Sequence, residues 1–169
     1  MLKLPVLLLV VGFALAPSAC SRRKRSSRDA LVAYLQHSKT SEARSNLLAL
    51  ARGCREAYDR EQIDLSGQVR PKAFPSAGPT PAKIPCRREA VPAPVWAAAG
   101  WSALHFAPTD PIYFQYQVIA QGEGDAATFT ARAHADLDCD GKASTFEVTG
   151  RVQNGEVVIG RLFTKDERE

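Results

Sequence analysis

The chain has 169 residues and a mass of 18.4 kDa, with 45% hydrophobic and 24% charged side chains, which suits one globular domain and excludes a large multidomain enzyme. The formal net charge of +4 points on its face to an acidic partner, but Lys3 and the run Arg22, Arg23, Lys24, Arg25 and Arg28 account for it, and residues 29–169 carry 16 basic against 18 acidic side chains. A nucleic-acid domain needs its positive charge on a folded face, so nucleic acid is excluded as the expected partner.

Residues 1–19, MLKLPVLLLVVGFALAPSA, combine an early lysine, an apolar run from Leu4 to Leu15 and small residues up to Ala19, the pattern of an export signal peptide. The apolar run falls short of the roughly 20 residues that span a bilayer. Pro17-Ser18-Ala19-Cys20 resembles a bacterial lipobox, which implies lipidation of Cys20; Pro17 stands where leucine is usual, and cleavage near Ala19 with Cys20 left as a plain thiol is the alternative. On the lipobox reading residues 20–28 form a lipidated cysteine and a basic tether beside the membrane. There each Lys or Arg adds about 1 kcal/mol of attraction to anionic headgroups.

The segment 29–61 is predicted as helix: it is rich in Ala, Leu, Glu, Arg and Lys and has no proline and no glycine before Gly53. Leu47, Leu50, Ala51, Cys54, Ala57 and Tyr58 follow helical spacing and form one apolar stripe. Leu31, Tyr34 and Leu35 begin another, and the polar stretch QHSKTSE between them is expected to be exposed or frayed. Residues 66–95 hold seven of the 11 prolines and read as a long irregular loop, with Cys86 a candidate tie in its middle. After Trp96 the period becomes alternating, and strands are expected at 112–120, 127–136, 144–152 and 156–163. Asn154-Gly155 is a hairpin signal. The expected fold class is therefore α+β, a long N-terminal helix packed on a four-stranded antiparallel sheet, with 29–169 as one domain.

Several stretches in order resemble type IV pilin-like proteins: SKTSEARSNLLALARGCREAYDRE at 38–61, FP at 74, TP at 80, the cysteine at 86, WSALHF at 101, DPIYFQYQV at 110, FTARAHADLDCDG at 129 and STFEVTG at 144. The resemblance covers most of residues 31–163. It implies a pilin-like globular domain and a disulfide between Cys86 and Cys139, while the residues themselves leave Cys54 with Cys86 open as a pairing. Gly12-Phe13 matches a prepilin start, but the fifth mature position is Pro17 rather than glutamate and the apolar run stops at Ala19. The filament-assembly helix is thus missing, and the implied protein is a lipid-anchored relative rather than a pilus subunit.

Asp136, Asp138, Asp140, Lys142, Ser144 and Glu147 occupy the ligand positions of an EF-hand spacing, with Gly141 at the sharp turn, so that alternating oxygens converge on a hard cation such as Ca2+. The flanks read as strands, and Asp and Gly are also the ordinary residues of a tight turn. Cys54, on the apolar stripe, is expected as a buried small hydrophobe. His37, His105 and His134 are too scattered for a metal site, and Ser102 and His105 lack a G-x-S-x-G context. Trp96 and Trp101 read as core aromatics. The expected function is non-enzymatic: an exported, membrane-anchored pilin-like lipoprotein that acts through an envelope or surface protein partner. The alternative is a periplasmic calcium- or ligand-binding module built on the DLDCDG loop.

Overall fold

A computed structural model describes residues 27–60, 63 and 66–167. The predicted signal peptide, Cys20 and most of the tether lie outside the described residues. The elements in chain order are α1 (Ser27–Asp59), β1 (Ala77–Thr80), α2 (Ala93–Trp96), α3 (Ala99–Ala103), β2 (Gln115–Gln121), β3 (Thr128–Ala135), β4 (Ser144–Gln153), β5 (Glu156–Ile159) and β6 (Phe163–Lys165). All strand pairs are antiparallel; the sheet runs β1-β2-β3-β4-β5, and β6 also pairs with β4.

This corrects the expected fold class. Among the described residues the fold is mostly a sheet of six strands rather than four, and α1 serves it only through its C-terminal part, within residues 37–59, rather than as a long packed helix over 29–61. Among the described side chains of α1 the first buried one is Thr40, and Leu31, Tyr34 and Leu35 are each more than half exposed. Both additional strands arise where sequence signals mislead. β1 sits inside the proline-rich stretch expected to be irregular, and the segment expected as one strand at 156–163 divides at Gly160 into β5 and β6, each holding a different part of β4.

The core forms between α1 and one face of the sheet. Ala43, Leu47, Leu50, Ala51, Cys54 and Tyr58 bury the helical stripe, as its spacing predicts, against Val118, Phe129, Ala131, Ala133, Phe146 and Val148. Alternation holds from Tyr116 onward, with Tyr116 and Val118 buried and Gln117 and Ile119 only partly so; Gln115, expected on the uncovered face, is also buried and donates from its amide to Pro81 O at 2.8 Å. Fully burying a large apolar side chain contributes about 1.5–3 kcal/mol, so this stripe against this face is the main source of stability. Small residues set the spacing. The alanines of β3 admit the helix, and Gly53 is needed in mid-helix because a Cβ there would overlap the Leu104 carbonyl.

Beside this core, Trp96, Trp101, Phe106 and Tyr116 stack edge-on or tilted at centroid distances of 5.1–5.6 Å. Trp101 Nε1 donates to Thr80 Oγ1 at 3.0 Å, which fastens β1 to α3. Both tryptophans are buried, as expected of core aromatics.

Candidate functional site

The proline-rich stretch is tied down at three neighbouring points. Asp136 N donates to Pro85 O at 3.1 Å, Cys86 is joined to Cys139, and Glu89 exchanges backbone hydrogen bonds with Ile112 at 2.8 and 2.9 Å. The Cys86–Cys139 pairing implied by the resemblance is present, with the Cα atoms 5.1 Å apart, and Cys54 remains a free, buried thiol. Burial pushes that thiol up to about 12, so it is a packing group rather than a nucleophile at neutral pH.

These ties build a groove of about 990 Å3 between α1, the segment 107–113 and the start of the aspartate loop. Glu42, on α1, forms its inner wall. Its carboxylate accepts hydrogen bonds from Tyr113 N at 3.0 Å and from Tyr116 Oη at 3.0 Å, while Asn46 Nδ2 donates to Tyr116 Oη at 2.8 Å. Burial raises the Glu42 carboxyl above its ordinary range; the Tyr113 N–H, the Tyr116 hydroxyl, the Arg88 charge and the Phe114 N–H oppose it without cancelling it. Tyr113 lines the groove with two cations close to its ring: Lys39 Nζ lies 5.3 Å and the Arg88 guanidinium 5.2 Å from the centroid. Lys39 Nζ also donates to Leu137 O at 3.1 Å, joining the helix to the aspartate loop. The groove thus offers hydrogen-bond acceptors on its wall, two cations close to an aromatic ring, and the acids Asp110 and Asp138 at its mouth.

The aspartate loop is partly what the spacing predicts. Asp136, Asp138 and Asp140 bring carboxylate oxygens within 4.8 Å of one another, a set that could hold a metal ion. Asp136 closes the loop by accepting from Asp140 N at 3.1 Å and Gly141 N at 2.9 Å, and Cys139 and Gly141 take positive φ of 63° and 91°. Of the remaining expected ligands, Lys142 stays beside the aspartates while Ser144 and Glu147 are elsewhere. Lys142 Nζ sits on Asp140 Oδ2 at 2.9 Å, holding that carboxyl below its usual range. Ser144 is fully buried on β4 and donates to Ala135 O at 2.9 Å. Glu147 lies on the opposite face of the sheet, paired with Arg132. In an EF-hand a following helix returns the last ligand to the ion; here an extended strand carries it away.

His134 also lies on the open face, with Nδ1 3.1 Å from Thr145 Oγ1, and burial lowers its pKa. His37 is on α1, His105 follows α3 and His134 is on β3. Glu42, Lys39, Arg88 and Tyr113 were not singled out from sequence. The stretch QHSKTSE was expected to be exposed or frayed, yet Thr40 is buried at 2% exposure and Glu42 is hydrogen-bonded to the chain at residue 113. The available signal was weak: a glutamate four residues before Asn46, on the helix face next to the apolar stripe.

No family model, curated protein or solved structure matches this chain, and nothing in those comparisons identifies it as a type IV pilin-like protein.

Proposed function

We propose that the chain is an exported, membrane-anchored lipoprotein that acts without chemistry, through a protein contact made in the groove between α1 and the segment 107–113. The observation that carries this reading is the triple fastening of the proline-rich stretch around Cys86, which holds Arg88, Leu137 and Asp138 at one rim of a groove whose other wall is α1. A disulfide suits an oxidising compartment, and the signal-like start and Cys20 supply the route and the anchor. The ordered pilin-like motifs support the same envelope setting.

A photo-crosslinking residue placed at Ser41 or Thr109, both exposed on the groove rim, should trap a partner in intact cells, while the same residue at Gln153, exposed at the hairpin end of β4, should not. Cys20→Ala should shift the protein from the membrane to the soluble fraction. Failure of both groove positions to give an adduct overturns the contact reading, and membrane retention of the Cys20 variant overturns the anchor.

The convergence of Asp136, Asp138 and Asp140 favours a second reading, a calcium-binding module. On that reading Ca2+ must displace Lys142 from Asp140 and stabilise the folded state, by about 2.7 kcal/mol at a hundredfold excess over Kd. A calcium-dependent rise in Tm for the wild type, abolished in Asp138→Asn, is the expected result; an unchanged Tm removes the reading.

A further inference from the structure

The two edges of the sheet are differently defended. β1 has Pro79 within the strand and Pro81 directly after it, so amide donors are missing there, and α3 packs beside it. The other edge is formed by β5 and β6 end to end on β4, joined through Gly160–Leu162. It has no proline and no covering element among the described residues.

The ladder fixes which groups this edge presents. Gly160 N donates to Thr149 O at 2.7 Å, so Glu156 and Val158 also turn their backbone groups toward β4, and Val157 and Ile159 turn theirs outward. Thr145 and Glu147 face the same side of β4 as Thr149, so their partners Lys165 and Phe163 point inward and Thr164 outward. Side chains alternate in step. Glu156, Val158, Phe163 and Lys165 lie on the open face, and Val157, Ile159 and Thr164 on the core face.

We propose that this edge pairs with the same edge of a second copy, antiparallel about a two-fold axis between Gly160 and Arg161. The segment EVVIGRLFTK is self-complementary in that register. Glu156 meets Lys165 of the second copy as an opposite-charge pair. Val158 and Phe163, 41% and 56% exposed in the single chain, cover each other. On the core side Val157 meets Thr164 and Ile159 meets Leu162, and the outward-turned groups of Val157, Ile159 and Thr164 gain backbone partners. Arg161 falls opposite Gly160, so no like charges meet. A slip of two residues either way sets Glu156 against Phe163 or Val158 against Lys165 and loses both matches, which makes the register specific. One existing contact must be shared: Arg55 Nη2 donates to Val157 O at 3.1 Å, and that carbonyl has a second lone pair for the new strand. The proposal does not rest on the groove or its partner.

The test is a register-specific cross-link in the full chain. Val158 and Phe163 of the second copy form a non-hydrogen-bonded pair with Cα atoms about 4.5 Å apart, within disulfide reach. Val158→Cys and Phe163→Cys chains, differently tagged and co-expressed, should give a covalent dimer at twice the single-chain mass on a non-reducing gel, and neither variant alone should. Both positions are exposed, so the fold is not at stake. Glu156→Lys should lose the cross-link, and adding Lys165→Glu to the same chains should restore it. Monomer alone, a Val158→Cys chain bonded to itself, or a cross-link to a different protein would each overturn the proposal.

Discussion

Replacing Cys86 and Cys139 together by serine is expected to lower the folding stability by about 4 kcal/mol, the chain-entropy value for a cross-link whose ends are 53 residues apart. Against a total of about 5–15 kcal/mol for an ordinary domain, that is a large fraction. The loss falls mainly on the unfolded state. The bond closes a loop that runs from the proline-rich stretch through β2 and β3 to the aspartate loop, and without it the unfolded chain expands. Urea unfolding should therefore show a lower midpoint together with a steeper dependence on denaturant. A local consequence accompanies the global one. Asp136 N to Pro85 O is a single backbone hydrogen bond, worth about 1 kcal/mol net, and it is poorly able to hold the two strands of chain together once the sulfur bridge is gone. Arg88 and Asp138 should then lose their fixed separation across the groove, and crosslinking from Thr109 should fall even under conditions where the variant remains folded. A double variant less than about 1 kcal/mol below the wild type would mean that the hydrophobic core alone positions the proline-rich stretch.

How far the fold was legible depends on which signals are local. The apolar stripe from Leu47 to Tyr58 and the alternation from Tyr116 to Ile119 are period signals within one element, and both emerge where expected, while Gln115 departs from the alternation because β1 and Pro81 cover it. The hairpin at Asn154-Gly155 is equally local: Gln153 pairs with Glu156, and both turn residues have positive φ. β1 was hidden because its four residues, AGPT, have neither alternation nor β-branched character apart from Thr80; partners on β2 and the Trp101 indole, distant in sequence, make it a strand. Leu31, Tyr34 and Leu35 misled in the opposite direction, since helical spacing of apolar residues says nothing about whether a partner surface reaches that far.

The site divides in the same way. The three aspartates converge because residues two apart on a tight loop must lie close together, whereas the placement of Ser144 and Glu147 is set by β4, whose extended backbone carries both away from the loop. Glu42 was marked in the sequence only by its place beside the apolar stripe. Its character comes from Tyr113 and Tyr116, more than seventy residues away along the chain, and a polar residue in a polar stretch gives no sign of such partners.

Phe146→Ala should be the most damaging single side-chain truncation on β4, costing about 3–5 kcal/mol. The ring is fully buried, meets Phe114 edge-to-face at 5.6 Å, and lies under the Arg44 guanidinium, 5.9 Å from the ring centroid. Its neighbour across the ladder on β3 is Ala133, which has no side chain long enough to move into the space, so the cavity stays open and the upper part of the range applies. Phe163→Ala is the matched control: the same chemical change, one strand away, on the opposite face of the sheet and at 56% exposure. In dilute protein, where edge pairing is absent, it should cost no more than about 0.5 kcal/mol, the range for a surface change that leaves no cavity. At high concentration the two variants should diverge in a further way. Phe146→Ala weakens the fold to the same degree at any concentration, while Phe163→Ala becomes costly only once Val158 of a second copy is there to cover the ring. Equal losses from both substitutions in dilute protein would contradict the division of the sheet into a core face and an open one.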